Sequence, residues 1–133
     1  MISFVIDASA LVELATSSEP NAELRRIALT GRGGAPELID LEAVQTVRGL
    51  VRRGALSDPE GREVVASVRD SPIARLAHRP LLGRVWELRS SIPAYDASYV
   101  ALAEQLDVPL LTCDGHLARA HGHRARIQLF VRT

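Results

Sequence analysis

The chain opens on an apolar run, Ile2-Ser3-Phe4-Val5-Ile6, that stops at Asp7. A short run rich in β-branched residues, with no polar alternation to mark a wet face, predicts a strand covered on both sides. Ala8 to Leu14 follows as a helix with Leu11 and Leu14 three apart, and either Asp7 or Ser9 could cap it. Ser17-Ser18-Glu19-Pro20 breaks that helix, and Asn21 to Leu29 starts another. Thr30-Gly31-Arg32-Gly33-Gly34 is expected to be a loop. After Ala35-Pro36-Glu37, apolar spacing predicts a helix from Leu38 to Arg53, which Gly54 stops. Ser57 and Glu60 are spaced as a capping box for a helix running to about Arg69.

Pro72 and Pro80 punctuate the next stretch, and Leu81 to Ser90 is expected to be helical. Ser91-Ile92-Pro93-Ala94-Tyr95 leads into a helix that Asp96 opens, spanning Ala97 to Leu106. Val108 to Cys113 is a second apolar run, predicting a buried strand over Pro109 to Thr112. A short helix at His116 to Ala120 and a strand at Ile127 to Val131 complete the pattern. Strands alternating with helices imply right-handed crossovers and a mostly parallel sheet, hence an α/β fold.

This reading makes four carboxylates stand out. Asp7 and Asp114 close the two best strands, Asp96 sits at a helix start, and Glu42 lies one turn into the helix begun near Glu37. In an open parallel sheet, reactive groups gather at the carboxyl ends of the strands and at the adjacent helix starts. Taken singly, each aspartate reads as a helix cap. Four acids on elements whose active ends coincide, with no basic residue beside them in sequence, call for a divalent cation. Hard oxygen ligands favour Mg²⁺ or Mn²⁺ over zinc. Phosphodiester hydrolysis is the chemistry such a site serves: charge neutralised on the phosphate, an activated water, and a stabilised leaving oxygen.

Composition narrows the alternatives. At 133 residues and 47% hydrophobic, one domain over 1–133 is expected, without a membrane-spanning run. All 16 basic residues are arginine, which excludes Schiff-base lysines and the phosphate loop ending in Gly-Lys-Ser/Thr. A receiver domain, which also clusters aspartates on magnesium, would need a lysine as well. A haloacid-dehalogenase phosphatase would need a second aspartate two residues after Asp7, where Ser9 stands. His116, His121 and His123 lack the spacing of helical zinc ligands, and no second cysteine joins Cys113. They read as surface residues near Arg119, Arg124 and Arg126, placed for RNA contact. Cys113 has no cation beside it in sequence to make it a nucleophile, and no Gly-x-Ser-x-Gly elbow is present. The opening residues show no export signal, and a lone cysteine fits a cytoplasmic location.

Four segments together resemble the PIN-domain ribonucleases, and within them the VapC-type toxins of toxin–antitoxin pairs. They are Val5-Ile6-Asp7-Ala8-Ser9, Ala35 to Glu42, Tyr95 to Glu104, and Leu110 to Asp114. The resemblance implies a PIN-like α/β/α sandwich around a central mostly parallel sheet. It implies a Mg²⁺- or Mn²⁺-dependent endoribonuclease, a homodimer, and neutralisation by a small VapB-type antitoxin. By position it makes Asp7, Glu42, Asp96 and Asp114 the catalytic and metal-site acids, with Ser9 and Thr112 as the small hydroxyls beside them. Some relatives carry a further acidic or amide residue shortly after the last aspartate, where this chain has Gly115, His116 and Leu117. A catalytically inactive PIN-like module that binds RNA or protein is the alternative. Apolar helix positions Leu11, Leu14, Leu50, Val51 and Leu56 are expected to leave a groove for an amphipathic partner segment.

Overall fold

A computed structural model describes all residues, 1–133. Five short strands form one all-parallel sheet: β1 (Phe4–Ile6), β2 (Gly33–Pro36), β3 (Ala74–Leu76), β4 (Leu110–Thr112) and β5 (Ile127–Leu129), in the order β3-β2-β1-β4-β5. Seven helices flank it: α1 (Ala8–Thr16), α2 (Ala22–Thr30), α3 (Ile39–Arg52), α4 (Asp58–Asp70), α5 (Leu82–Glu87), α6 (Ala94–Leu106) and α7 (Gly115–Ala118). A 3-10 turn, Arg79–Leu81, precedes α5. This is an α/β fold with an all-parallel sheet, as the alternation of strands and helices predicts.

Phe4, Val5 and Ile6 are fully buried at the centre of the sheet, as their uninterrupted apolar run demands. Helices α1, α3 and α4 pack on one another, while α6 lies against β1, β2 and β4 with α5 beside it. Every residue of α6 from Ala97 to Ala103 is buried, so its apolar character runs all round rather than along one stripe. No helix is long and apolar enough to cross a membrane.

Two expectations need correction. The segment expected to be a loop contains β2, an interior strand built from Gly33-Gly34-Ala35-Pro36. These residues have little β propensity. Their place is set by packing, since a Cβ on Gly33 would lie 2.5 Å from the Phe4 ring and 2.6 Å from Ile73 Cδ1. Strand β3 was hidden between Pro72 and Pro80 for a similar reason, being three residues long at a sheet edge. The leucines and valine assigned to a groove also behave differently. Leu11 is core, and Leu14, Leu50, Val51 and Leu56 pack against it, because α1, α3 and α4 close on each other.

Candidate functional site

The chain starts in the middle of the sheet, builds outward through β2 and β3, then returns to the other side of β1 with β4 and β5. The reversal falls between β1 and β4, and a crevice opens beyond the strand ends at such a point. Val5 pairs with Leu110 and Ile6 with Leu111. Asp7 therefore emerges beside Thr112, with Asp114 just beyond. From β2 the chain passes straight into α3, which carries Glu42, and α6 brings Asp96 to the same place. All four acids line one cleft of about 550 Å³, together with Ser9, Thr46, Tyr95, Tyr99 and Arg132.

Asp7 is the buried anchor. It caps α1, its Oδ1 accepting from Ala10 N at 3.0 Å and from the Ser9 hydroxyl at 2.7 Å. The Thr112 hydroxyl donates to Oδ2. Each hydroxyl then accepts a backbone N–H from the β4 exit: Cys113 N on Ser9 Oγ and Asp114 N on Thr112 Oγ1, both at 2.9 Å. Ser9 and Thr112 thus tie the end of β1 to the end of β4 and fix the Asp7 carboxylate between them. A carboxylate has about four acceptor positions, so three donors leave Asp7 room for a cation. Capping and site duty coexist in this residue.

The other three acids are held more loosely. Asp114 caps α7, accepting from His116 N at 2.9 Å. Glu42 Oε1 accepts a 2.6 Å hydrogen bond from the Tyr99 hydroxyl. Asp96 does not open its helix: α6 begins at Ala94 with Pro93 as its flanking residue, and Ala97 N already donates to Pro93 O. Asp96 lies in the first turn with no capping role. Burial raises the pKa of Asp7 against the pull of its three donors, with Asp114 adding to the rise. Burial likewise raises Glu42, against the Tyr99 hydrogen bond and with help from Asp96 and Asp7. For Asp96 the causes are burial, then Asp114 and Asp7, with no hydrogen bond opposing them. The rises in Asp7, Glu42 and Asp96 thus each carry a contribution from a neighbouring carboxylate.

The cleft lining supplies carboxylates and neither histidine nor cysteine. That donor set suits a hard cation of the Mg²⁺ or Mn²⁺ kind. No three acidic, histidine or cysteine side chains converge into a ready-made cage. Mg²⁺ asks for less, being held by one or two carboxylates while waters and phosphate complete its octahedron. The residues fit such an ion.

Sequence reasoning missed Tyr99 and Arg132. Tyr99 lies one helical turn after Asp96 and faces the same cleft, a spacing that could have flagged it. Arg132 comes from the far end of the chain, and nothing local marks it. The histidines do not join the site: His116 and His121 are exposed, and His123 Nδ1 accepts from Ala125 N. Arg126 pairs with Asp107. Burial, with Glu13 and Asp7 nearby, pushes the Cys113 thiol up to about 11, so it is no nucleophile.

Residues 4–122 match the model of the PIN domain. The chain belongs to the PIN-domain family. Within that family it stands among the VapC ribonucleases, being 42% identical over 125 residues to Ribonuclease VapC12 of Mycobacterium tuberculosis, a match covering 94% of this chain and 97% of that one. Ribonuclease VapC1 of the same organism is 37% identical over 127 residues, covering 94% and 96%. Among solved structures, PAE2754 from Pyrobaculum aerophilum has a TM-score of 0.71 at 24% identity, covering 95% of this chain and 83% of that one. VapBC2 from Rickettsia felis, bound to a DNA fragment from its promoter, has a TM-score of 0.68 at 13% identity, covering 98% and 99%. At those identities the structural likeness speaks for the fold.

Proposed function

We propose that residues 1–133 fold as one domain and act as a metal-dependent endoribonuclease, the toxin of a type II toxin–antitoxin pair. The observation that carries this is the convergence of Asp7, Glu42, Asp96 and Asp114 on one cleft at the switch point of the sheet. Near-full-length similarity to VapC ribonucleases supports the toxin reading.

The four acids would hold Mg²⁺ or Mn²⁺, which when bound neutralises phosphate charge and makes water a better nucleophile. The protein's part is positioning. Ser9, Thr112 and the Ala10 amide hold Asp7 rigid, and Tyr99 turns Glu42 inward. Asp96 carries no protein hydrogen bond, so both of its oxygens are free for the cation. In-line attack on phosphorus breaks the bond to the 3′ oxygen and leaves a 5′-phosphate and a 3′-hydroxyl.

RNA is the substrate and a small VapB-type antitoxin the partner, with a homodimer acting in the cytoplasm. A catalytically inactive binding module would be free to lose acids, and all four stand here. The test is cleavage of single-stranded RNA with Mg²⁺ or Mn²⁺, stopped by EDTA. Products ending in 2′,3′-cyclic phosphate would overturn the mechanism. Expression without growth inhibition, alongside confirmed nuclease activity, would overturn the toxin role.

A further inference from the structure

The cleft has one cation in its lining, Arg132, alongside four carboxylates. A nuclease pocket built only of acids repels the polyanion it must receive, so the position of this guanidinium bears on how RNA enters. Arg132 forms no ion pair within 4.0 Å, although seven other pairs exist across the molecule. It is neither a structural bridge nor a counter-ion clamped onto the acids.

Its location is fixed from both sides. Just before it, Phe130 is buried, and its N–H donates to Thr112 O at 2.9 Å, at the very strand end that holds Asp7. Just after it, Thr133 N donates to Glu13 Oε2 at 3.2 Å, and the Thr133 hydroxyl donates to the same oxygen at 3.1 Å. Asn21 Nδ2 donates to Val131 O at 3.1 Å. Glu13 itself is a buried carboxylate on α1, with only 6% of its surface exposed, and the mechanism above has no use for it. Its polar partners are Asn21 N and Thr133, so its role is to tether this strap. The strap places the exposed Arg132 in the lining of the cleft.

We infer that Arg132 is a phosphate-binding residue: held by the Glu13-tethered strap, its guanidinium receives a phosphodiester of the RNA strand beside the four carboxylates. A planar fork of N–H donors matches two phosphate oxygens, and lysine could not reproduce that fit. The inference rests on the nuclease reading for its ligand. It adds a residue that supplies ground-state RNA affinity independent of the cation.

The experiment measures equilibrium binding of a single-stranded RNA oligonucleotide across a salt series. It uses the full chain carrying Asp96→Asn, so that the strand survives, with Arg132→Ala or Arg132→Lys added. Arg69→Ala, at an arginine paired with Asp70 on α4, is the control. Arg132→Ala should weaken binding about tenfold and lower the slope of log affinity against log salt by about 0.7, the share of one phosphate contact on a single strand. Arg132→Lys should recover the slope but only part of the affinity, and Arg69→Ala should change neither. With Asp96 intact, Arg132→Ala should raise KM by a similar factor and leave the product ends unchanged. Wild-type affinity and slope in Arg132→Ala would overturn the inference, as would an equal loss in Arg69→Ala. A wild type that cuts no RNA overturns the nuclease reading, while the binding comparison still decides Arg132.

Discussion

The Tyr99 hydroxyl and Glu42 Oε1 lie 2.6 Å apart, joining α6 to α3 in the lining of the acidic cleft. Tyr99 is buried up to that hydroxyl, and burial together with Glu42 pushes its pKa far above the ordinary tyrosine value. It is therefore a donor at every working pH. One oxygen of Glu42 is spoken for, which aims the other at the cleft. Tyr99→Phe removes the hydroxyl and keeps the ring. Without the bond, the Glu42 pKa should rise further, since that hydrogen bond is the one influence lowering it. The Mg²⁺ concentration needed for half-maximal cleavage should rise about tenfold, the usual cost of losing a partner that orients a ligand. A magnesium titration of cleavage reads this directly, and an unchanged midpoint would show that Tyr99 only fills space.

Thr112 serves two masters, donating to Asp7 and accepting from Asp114 N. Thr112→Val keeps the shape and removes both bonds. It strips a donor from a buried carboxylate and leaves the Asp114 N–H without its partner. The expected cost is about 1–3 kcal/mol, read as a lower melting temperature, with cleavage lost alongside it. Ser9→Ala should be milder, because Asp7 Oδ1 keeps its bond from Ala10 N. Equal stability in the threonine and valine proteins would mean that Asp7 does not depend on this hydroxyl.

Legibility followed the range of the forces involved. Apolar runs and helix starts are local, so β1, β4, the helix beginning near Asn21 and the Ser57–Glu60 capping box all read directly from the residues. The gathering of the four acids in one cleft was legible because each lies at the end, or in the first turn, of an element that periodicity had already located. Strand β2 was not, since Gly-Gly-Ala-Pro becomes a strand only by lying between β1 and β3. Arg132 was not, because its place in the cleft lining depends on a strap tied down by Glu13 on α1.

Gly33 makes that hidden constraint measurable. Its missing side chain is what lets the Phe4 ring and Ile73 close over β2. Gly33→Ala would place a methyl group inside contact distance of both. Overpacking of this kind costs about 1–3 kcal/mol. Gly83, where an added Cβ meets nothing within 4 Å, is the matched control in a helix and should tolerate alanine without loss. Melting curves of the two variants test whether β2 is packed as described, and equal melting temperatures would count against it.

Asp96 separates function from stability. Its pKa is raised, as are those of Asp7 and Glu42, from ordinary values of 3.8, 3.8 and 4.5. A carboxyl whose native pKa lies above its unfolded value binds protons more tightly when folded. Its contribution to stability is complete below the unfolded pKa and is lost as pH rises through the raised native value. In the metal-free protein, these three acids therefore weaken the fold progressively as pH climbs past about 4 toward neutrality. Asp96→Asn removes one charge, keeps the shape, and sacrifices no helix cap. Metal-free Asp96→Asn should melt at least as high as wild type near pH 7, with a flatter pH dependence. It should lose most of the stabilisation that Mg²⁺ gives the wild type by binding the native state. Cleavage should fall by orders of magnitude, because a carboxylate that would hold the ion is gone. Melting curves with and without Mg²⁺ across pH, set beside one cleavage assay, read all three effects. An Asp96→Asn protein with full activity and an unchanged Mg²⁺ response would remove Asp96 from the site.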